Sequence, residues 1–191
     1  MIGGLMTLGW FRKKDGKAAA PSGSSKPSSP NPTGSSNGIR LGNLLSDELV
    51  LWLPAGKSKD QLIELLIERL CKIKKLGESK RLLSKILERE QGMSTTLDTG
   101  LSIPHARIEG LDSISAVFGL IPQGLADPKQ PDIVIRAMCV FFTPMRQEMF
   151  QQHLYLLRGV SALFQPAFID DLLKKKTPGE VIAYIEGRES A

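Results

Sequence analysis

Two histidines occur among 191 residues, His105 and His153. An imidazole with an ordinary pKa of about 6.5 keeps a free ring nitrogen at neutral pH, so it can attack an electrophile or exchange a proton. His105 lies in the stretch TGLSIPHAR at 99–107, directly after Pro104. His153 interrupts the apolar face of a segment with helical spacing. Arg89 precedes both, just before the loop QGMSTTLDTG at 91–100. A guanidinium is planar and meets phosphate oxygens with paired donors. A nucleophilic nitrogen, a second imidazole and a guanidinium are parts that phosphoryl transfer can use, because that reaction needs positioning and charge neutralisation more than covalent help. The residue types alone favour quieter roles. His105 could simply close a strand, His153 could be a core histidine satisfied by a backbone carbonyl, and Arg89 could sit in a surface ion pair. The loop at 92–100 could be an ordinary turn or an anion nest of backbone N–H groups.

These side chains need a scaffold, and the sequence supplies alternating strand and helix patterns. A short helical turn around Leu44 and Leu45 leads to a strand expected at 48–53. KSKDQLIELLIERLCKIKKL is the clearest helix: Ser58 caps it, Gln61 completes a capping box, and Leu62, Ile63, Leu66, Ile67, Leu70 and Ile73 form one apolar stripe. Gly77 is expected to stop it. A second helix, about 79–90, turns Leu82, Leu83, Ile86 and Leu87 inward. ISAVFGL at 114–120 alternates like a half-buried strand. IVIRAMCVFF at 133–142 is nearly all apolar, as a strand covered on both faces would be. The next segment reads as a helix whose inward face carries Met149, Phe150, Leu154, Leu157, Val160, Ser161 and Phe164 together with His153. A short helix at 167–174 follows. Thr177, Pro178 and Glu180 then start the last helix with a second capping box. The expected fold class is α/β, a central mixed sheet sandwiched by helices.

The net charge of +5 raises nucleic acid as a partner, but its distribution argues against one. Residues 1–38 hold Arg12, Lys13, Lys14, Lys17 and Lys26 against Asp15, which leaves a net charge near +1 for 39–191. Residues 15–38 are almost entirely Gly, Ser, Pro, Ala, Asn and Lys and cannot offset the entropy of ordering, so a disordered basic tail over 1–38 is expected ahead of one domain at 39–191. The opening MIGGLMTLGWF precedes its basic residues, the reverse of a secretory signal, and is far short of the ~20 residues of a membrane span. Cys71 and Cys139 are far apart, and neither they nor the histidines have zinc-ligand spacing. No metal, no cofactor and no stable membrane insertion are expected, and the setting is expected to be cytoplasmic.

The stretch LEREQGMSTTLDTGLSIPHAR resembles the enzyme IIA component of the fructose/mannitol class of the bacterial phosphoenolpyruvate-dependent sugar phosphotransferase system, and the nitrogen-regulatory IIA proteins. The matching features are Arg89-Glu90, Ser94-Thr95, Gly100 and Ile103-Pro104-His105. LLSDELVLWLPAGKSKDQLIELL is similar to the family's first strand and lysine-initiated helix, and QQHLYLLRGVSALF to its His-Leu-x-x-Leu helix. The resemblance implies a central mixed sheet between helices. It implies a phosphotransferase component rather than a stand-alone enzyme. His105 would accept a phosphoryl group from HPr or a relative and pass it to a IIB partner, or hold it as a regulatory signal. Arg89 would neutralise the phosphohistidine. His153 would hydrogen-bond the phosphoryl group or orient His105. Two positions depart from the pattern. Thr99 stands where members often carry an acidic or amide residue, and Ser102 where alanine is frequent. With the chain length and the tail, Thr99 tilts the expectation toward regulation. A non-catalytic binding module of the same fold is the alternative.

Overall fold

The structure is a computed structural model that describes residues 38–190. The expected tail therefore lies outside the described residues, except for Gly38. Short 3-10 turns at Gly42–Leu44 and Asp47–Leu49 open the fold. There follow β1 (Val50–Trp52), α1 (Lys59–Lys74), α2 (Ser79–Gly92), β2 (Leu101–Ser102), β3 (His105–Ile108), β4 (Ser115–Ala126), β5 (Val134–Pro144), α3 (Phe150–Leu163), α4 (Pro166–Leu173) and α5 (Pro178–Glu189). The sheet order is β1-β4-β5-β2, with β3 also on β5. β1 runs parallel to β4, β4 antiparallel to β5, and β2 and β3 parallel to β5, so the sheet is mixed, as expected.

Both faces of this sheet are covered. Ala116, Phe118 and Leu120 of β4 and Ala137, Cys139 and Phe141 of β5 pack with α3, α4 and α5. Val117 and Ile121 of β4 and Met138, Val140 and Phe142 of β5 pack with α1 and α2. Alternate residues of a strand face opposite sides, so a strand between two helical layers needs apolar side chains at every position. That is why 133–142 carries almost no polar residue. Cys139 is fully buried there, and desolvation pushes its thiol up to about 12.

Local chemistry sets most boundaries. Ser58 and Gln61 form the capping box of α1, and Thr177 and Glu180 that of α5. Several boundaries differ from expectation, three of them for a clear local reason. α1 ends at Lys74, where Lys75 takes the left-handed conformation (φ 53°) and its N–H bonds to the Cys71 carbonyl, so the stop precedes Gly77. Asp47–Leu49 forms a 3-10 turn, which shortens β1. β4 continues to Ala126 through backbone pairing of Leu125 and Ala126 with Ile135 and Val134, in residues that show no apolar alternation.

The inward face of α3 is also rotated from the expected one. His153, Leu156, Val160 and the following Phe164 are buried, whereas Phe150 and Leu154 are 46% and 47% exposed. Residues 154–157 read Leu-Tyr-Leu-Leu, so more than one apolar stripe satisfies the helical period. Packing against the sheet selects the stripe containing His153.

Candidate functional site

The site begins with a break in the sheet edge. β2 and β3 pair with β5 in one continuous register, Leu101 opposite Ala137 and His105 opposite Phe141. Pro104 lies between them and has no N–H for the ladder. Its carbonyl still accepts from the Phe141 N–H at 3.2 Å. The Ile103 carbonyl takes a side-chain donor instead: Nδ1 of His105 lies 2.7 Å from it. A carbonyl oxygen only accepts, so Nδ1 carries the proton and Nε2 holds the free lone pair. The backbone thus fixes the tautomer.

Gly100 makes the approach to this edge possible. Its φ is +85°, and a Cβ there would lie 2.8 Å from the Val134 carbonyl oxygen. Its own carbonyl accepts from Arg136 N–H at 2.8 Å. Part of the loop before it is closed to an anion. The N–H groups of Thr96, Leu97 and Gly100 are taken by Ser94 Oγ, the Leu101 carbonyl and the Leu97 carbonyl.

The His105 ring is 5% exposed and stacks on Phe141, with centroids 5.1 Å apart and planes 8° from parallel. Burial pushes its pKa down to about 4; the Ile103 carbonyl opposes this, and the Arg89 and His153 charges reinforce it. His105 is therefore neutral through the physiological range. His153 reaches it from α3, with ring centroids 5.2 Å apart at 52°. His153 is buried too, and its Nδ1 lies 3.0 Å from Oγ1 of Thr143 on β5. Its partner is a side-chain hydroxyl rather than the backbone carbonyl that a core histidine would take. Burial lowers its pKa, and the Arg107 and Arg89 charges lower it further.

Arg89 stands at the C-terminal end of α2, is exposed, and makes no ion pair with a described residue. Its charge acts on both rings. The next residue, Glu90, faces inward. Lys59 Nζ lies 2.8 Å from Glu90 Oε2 and 2.9 Å from Asp127 Oδ2. It also reaches Thr96 Oγ1 at 3.0 Å and Ser94 Oγ at 3.2 Å. Asp127 accepts from Thr96 Oγ1 at 2.5 Å and from the N–H groups of Lys129 and Gln130 at 2.8 and 3.0 Å. Burial alone would raise the Asp127 pKa, but these donors and the Lys59 charge hold it far below the ordinary carboxylate range. A buried ion cluster keeps its charges only when their hydrogen bonds are satisfied, as they are here. It ties the start of α1, the end of α2, the 94–96 loop and the end of β4 together beside the imidazole pair.

The structure brings His105 and His153 into ring contact and sets Arg89 within electrostatic reach. Sequence reasoning gave no role to Lys59, Asp127, Phe141, Thr143 or Arg107. Two of them had a sequence signal: Lys59 opens the lysine-initiated helix of the resemblance, and Arg107, two residues beyond His105 in a strand, shares that residue's face. Thr99 Oγ1 is buried without a hydrogen-bond partner among the described residues, and Ser102 is fully buried. Among the described residues, no three His, Cys, Asp or Glu side chains cluster as metal ligands, and no helix is long and apolar enough to cross a membrane.

An open mixed sheet between helices is an architecture already known. Residues 43–187 match the family described as phosphoenolpyruvate-dependent sugar phosphotransferase system, EIIA 2, and the chain belongs to that family. A nitrogen regulatory protein of Pseudomonas aeruginosa is 26% identical over 151 residues, covering 77% of this chain and 94% of that one. The nitrogen regulatory protein IIA-Ntr of Neisseria meningitidis shares the fold, with a TM-score of 0.64 at 20% identity over 75% of this chain and 97% of that one. The mannitol IIA of Escherichia coli does so too, with a TM-score of 0.61 at 21% identity over 74% and 98%. A further fold neighbour is the Escherichia coli mannitol IIA in complex with phosphorylated IIB, with a TM-score of 0.61 at 19% identity over 75% of this chain and 98% of that one.

Proposed function

We propose that this chain is a phosphoryl carrier in which His105 accepts a phosphoryl group from HPr or a related phosphocarrier. It then passes the group to a IIB partner or holds it as a regulatory signal. The observation that carries the reading is the hydrogen bond from His105 Nδ1 to the Ile103 carbonyl, which leaves Nε2 as a lone-pair nucleophile in a ring kept neutral by burial.

In the transfer, the Nε2 lone pair attacks phosphorus as the donor's P–N bond breaks. The released electron pair returns to the donor imidazole. The Nδ1 proton stays in place, and its bond to the carbonyl strengthens as the His105 ring becomes positive. Arg89 neutralises the phosphoryl oxygens. His153, held through Nδ1 by Thr143, presents its other nitrogen to the same group. The phosphoryl group brings about −1.5 to −2 of charge, offset in part by the positive ring, to a site that was neutral, a change that a partner protein can distinguish. The nitrogen regulatory relative supports use as a signal; the mannitol IIA–IIB complex supports onward transfer.

The test is incubation with phosphorylated HPr followed by mass spectrometry. An acid-labile, base-stable adduct on His105, lost in His105→Ala, is expected. No adduct under conditions that label a known IIA protein would overturn the reading. A protein partner whose binding ignores both phosphorylation and His105→Ala would favour the non-catalytic module instead.

A further inference from the structure

Arg107 is the second guanidinium beside the imidazole pair. It lies two residues beyond His105 in β3, so both side chains leave the same face of the strand. In the register with β5 it stands opposite Thr143, the residue that holds His153 Nδ1 at 3.0 Å. Its guanidinium lies 5.2 Å from the centroid of the Phe150 ring. Its NH2 group donates to the Arg146 carbonyl at 2.8 Å. Its Nε is buried and has no partner among the described residues. A buried donor on a permanent cation is normally paired, and one left open next to a reactive pair needs an explanation.

We propose that Arg107 is a second phosphoryl-binding cation, in addition to Arg89: it turns from the Arg146 carbonyl to the phosphoryl oxygens when His105 is loaded. This rests on the phosphocarrier reading above. With a single guanidinium, one side of a dianion would face only a neutral imidazole. With two, both sides are neutralised, and the planar fork of Arg107 supplies paired donors to the oxygens. The lowered proton affinity of His153, to which Arg107 contributes, agrees with a cation aimed at this end of the pair. The competing account is structural: Arg107 only clamps the start of α3 through Phe150 and Arg146.

Phosphorylated HPr is used to load the full chain and its Arg107→Gln and Arg107→Lys variants, with urea unfolding run beside them. Loading of Arg107→Gln is expected to slow by about tenfold or more, with Arg107→Lys partly restoring the rate. In 31P NMR, the protonation midpoint of the phosphoryl group should rise by about 0.5 to 1 unit in Arg107→Gln, because a neighbouring cation has been removed. A structural clamp would change urea stability and leave that midpoint unmoved. Unchanged loading and an unchanged midpoint in a labelled Arg107→Gln protein would overturn the inference and leave the phosphocarrier reading intact. Failure of the parent chain to take label on His105 would overturn both.

Discussion

Lowering the pH tests whether His105 is truly held as a buried neutral nucleophile. Its pKa lies near 4 in the folded protein against an ordinary 6.5, chiefly through burial. Below about pH 6.5 the unfolded chain binds a proton at this position that the folded chain refuses. Stability is therefore complete above the unfolded value and is lost as pH falls toward the folded one. At about 1.4 kcal/mol per unit, the full gap is worth about 3 to 4 kcal/mol, and most of it should be lost by about pH 4.5. Asp127, with its pKa depressed far below the usual carboxylate range, loses its contribution only at more acid pH, so it does not mask this window. The assay is urea unfolding at several pH values for the parent and His105→Gln. The variant keeps His153, whose own depressed value slopes the same way, so the difference between the two slopes reports His105 together with its coupling to His153. The parent should lose about 2 to 3 kcal/mol more than the variant between about pH 7.5 and pH 4.5. Equal losses, or a His105 imidazole resonance titrating near 6.5, would refute the reasoning and with it the claim that burial prepares the nucleophile.

Three further outcomes are expected. Arg89→Ala should leave the melting temperature within the error of measurement, because the side chain is exposed and makes no ion pair among the described residues, while loading of His105 from phosphorylated HPr slows by about tenfold or more; equal loading rates would remove Arg89 from the site. Lys59→Met should cost about 3–5 kcal/mol in urea unfolding, because it strands Glu90 and Asp127 in the interior, and the further change Asp127→Asn should recover part of that loss. Gly100→Ala should lower stability by more than about 1 kcal/mol, since the new Cβ would meet the Val134 carbonyl in a left-handed backbone; a melting temperature equal to the parent's would show that the edge relaxes freely.

The sequence by itself determined the helices, three of the five strands, both capping boxes and the doubly covered β5, but not β2 and β3. Each of these depends on neighbours within a few residues: a cap three positions from its partner, or an apolar run that needs two covering layers. The family segments around Ile103-Pro104-His105 were legible for the same reason. Register, rotation and burial were not. The stretch 154–157 allowed several helical faces, and only packing against the sheet put Leu156 inside and left Leu154 out. Arg89-Glu90 read as a pair, yet the helix end turns Arg89 to solvent and Glu90 to Lys59. The tertiary structure decided which imidazole nitrogen is free, because that depends on the Ile103 carbonyl, which accepts from the other ring nitrogen at a break in the strand edge. It also decided that Lys59, Glu90 and Asp127 meet, since charges 31 and 37 residues apart in the chain share an interior only after the layers close. Such contacts are set by the summed packing of the layers, and no local pattern in the sequence encodes them.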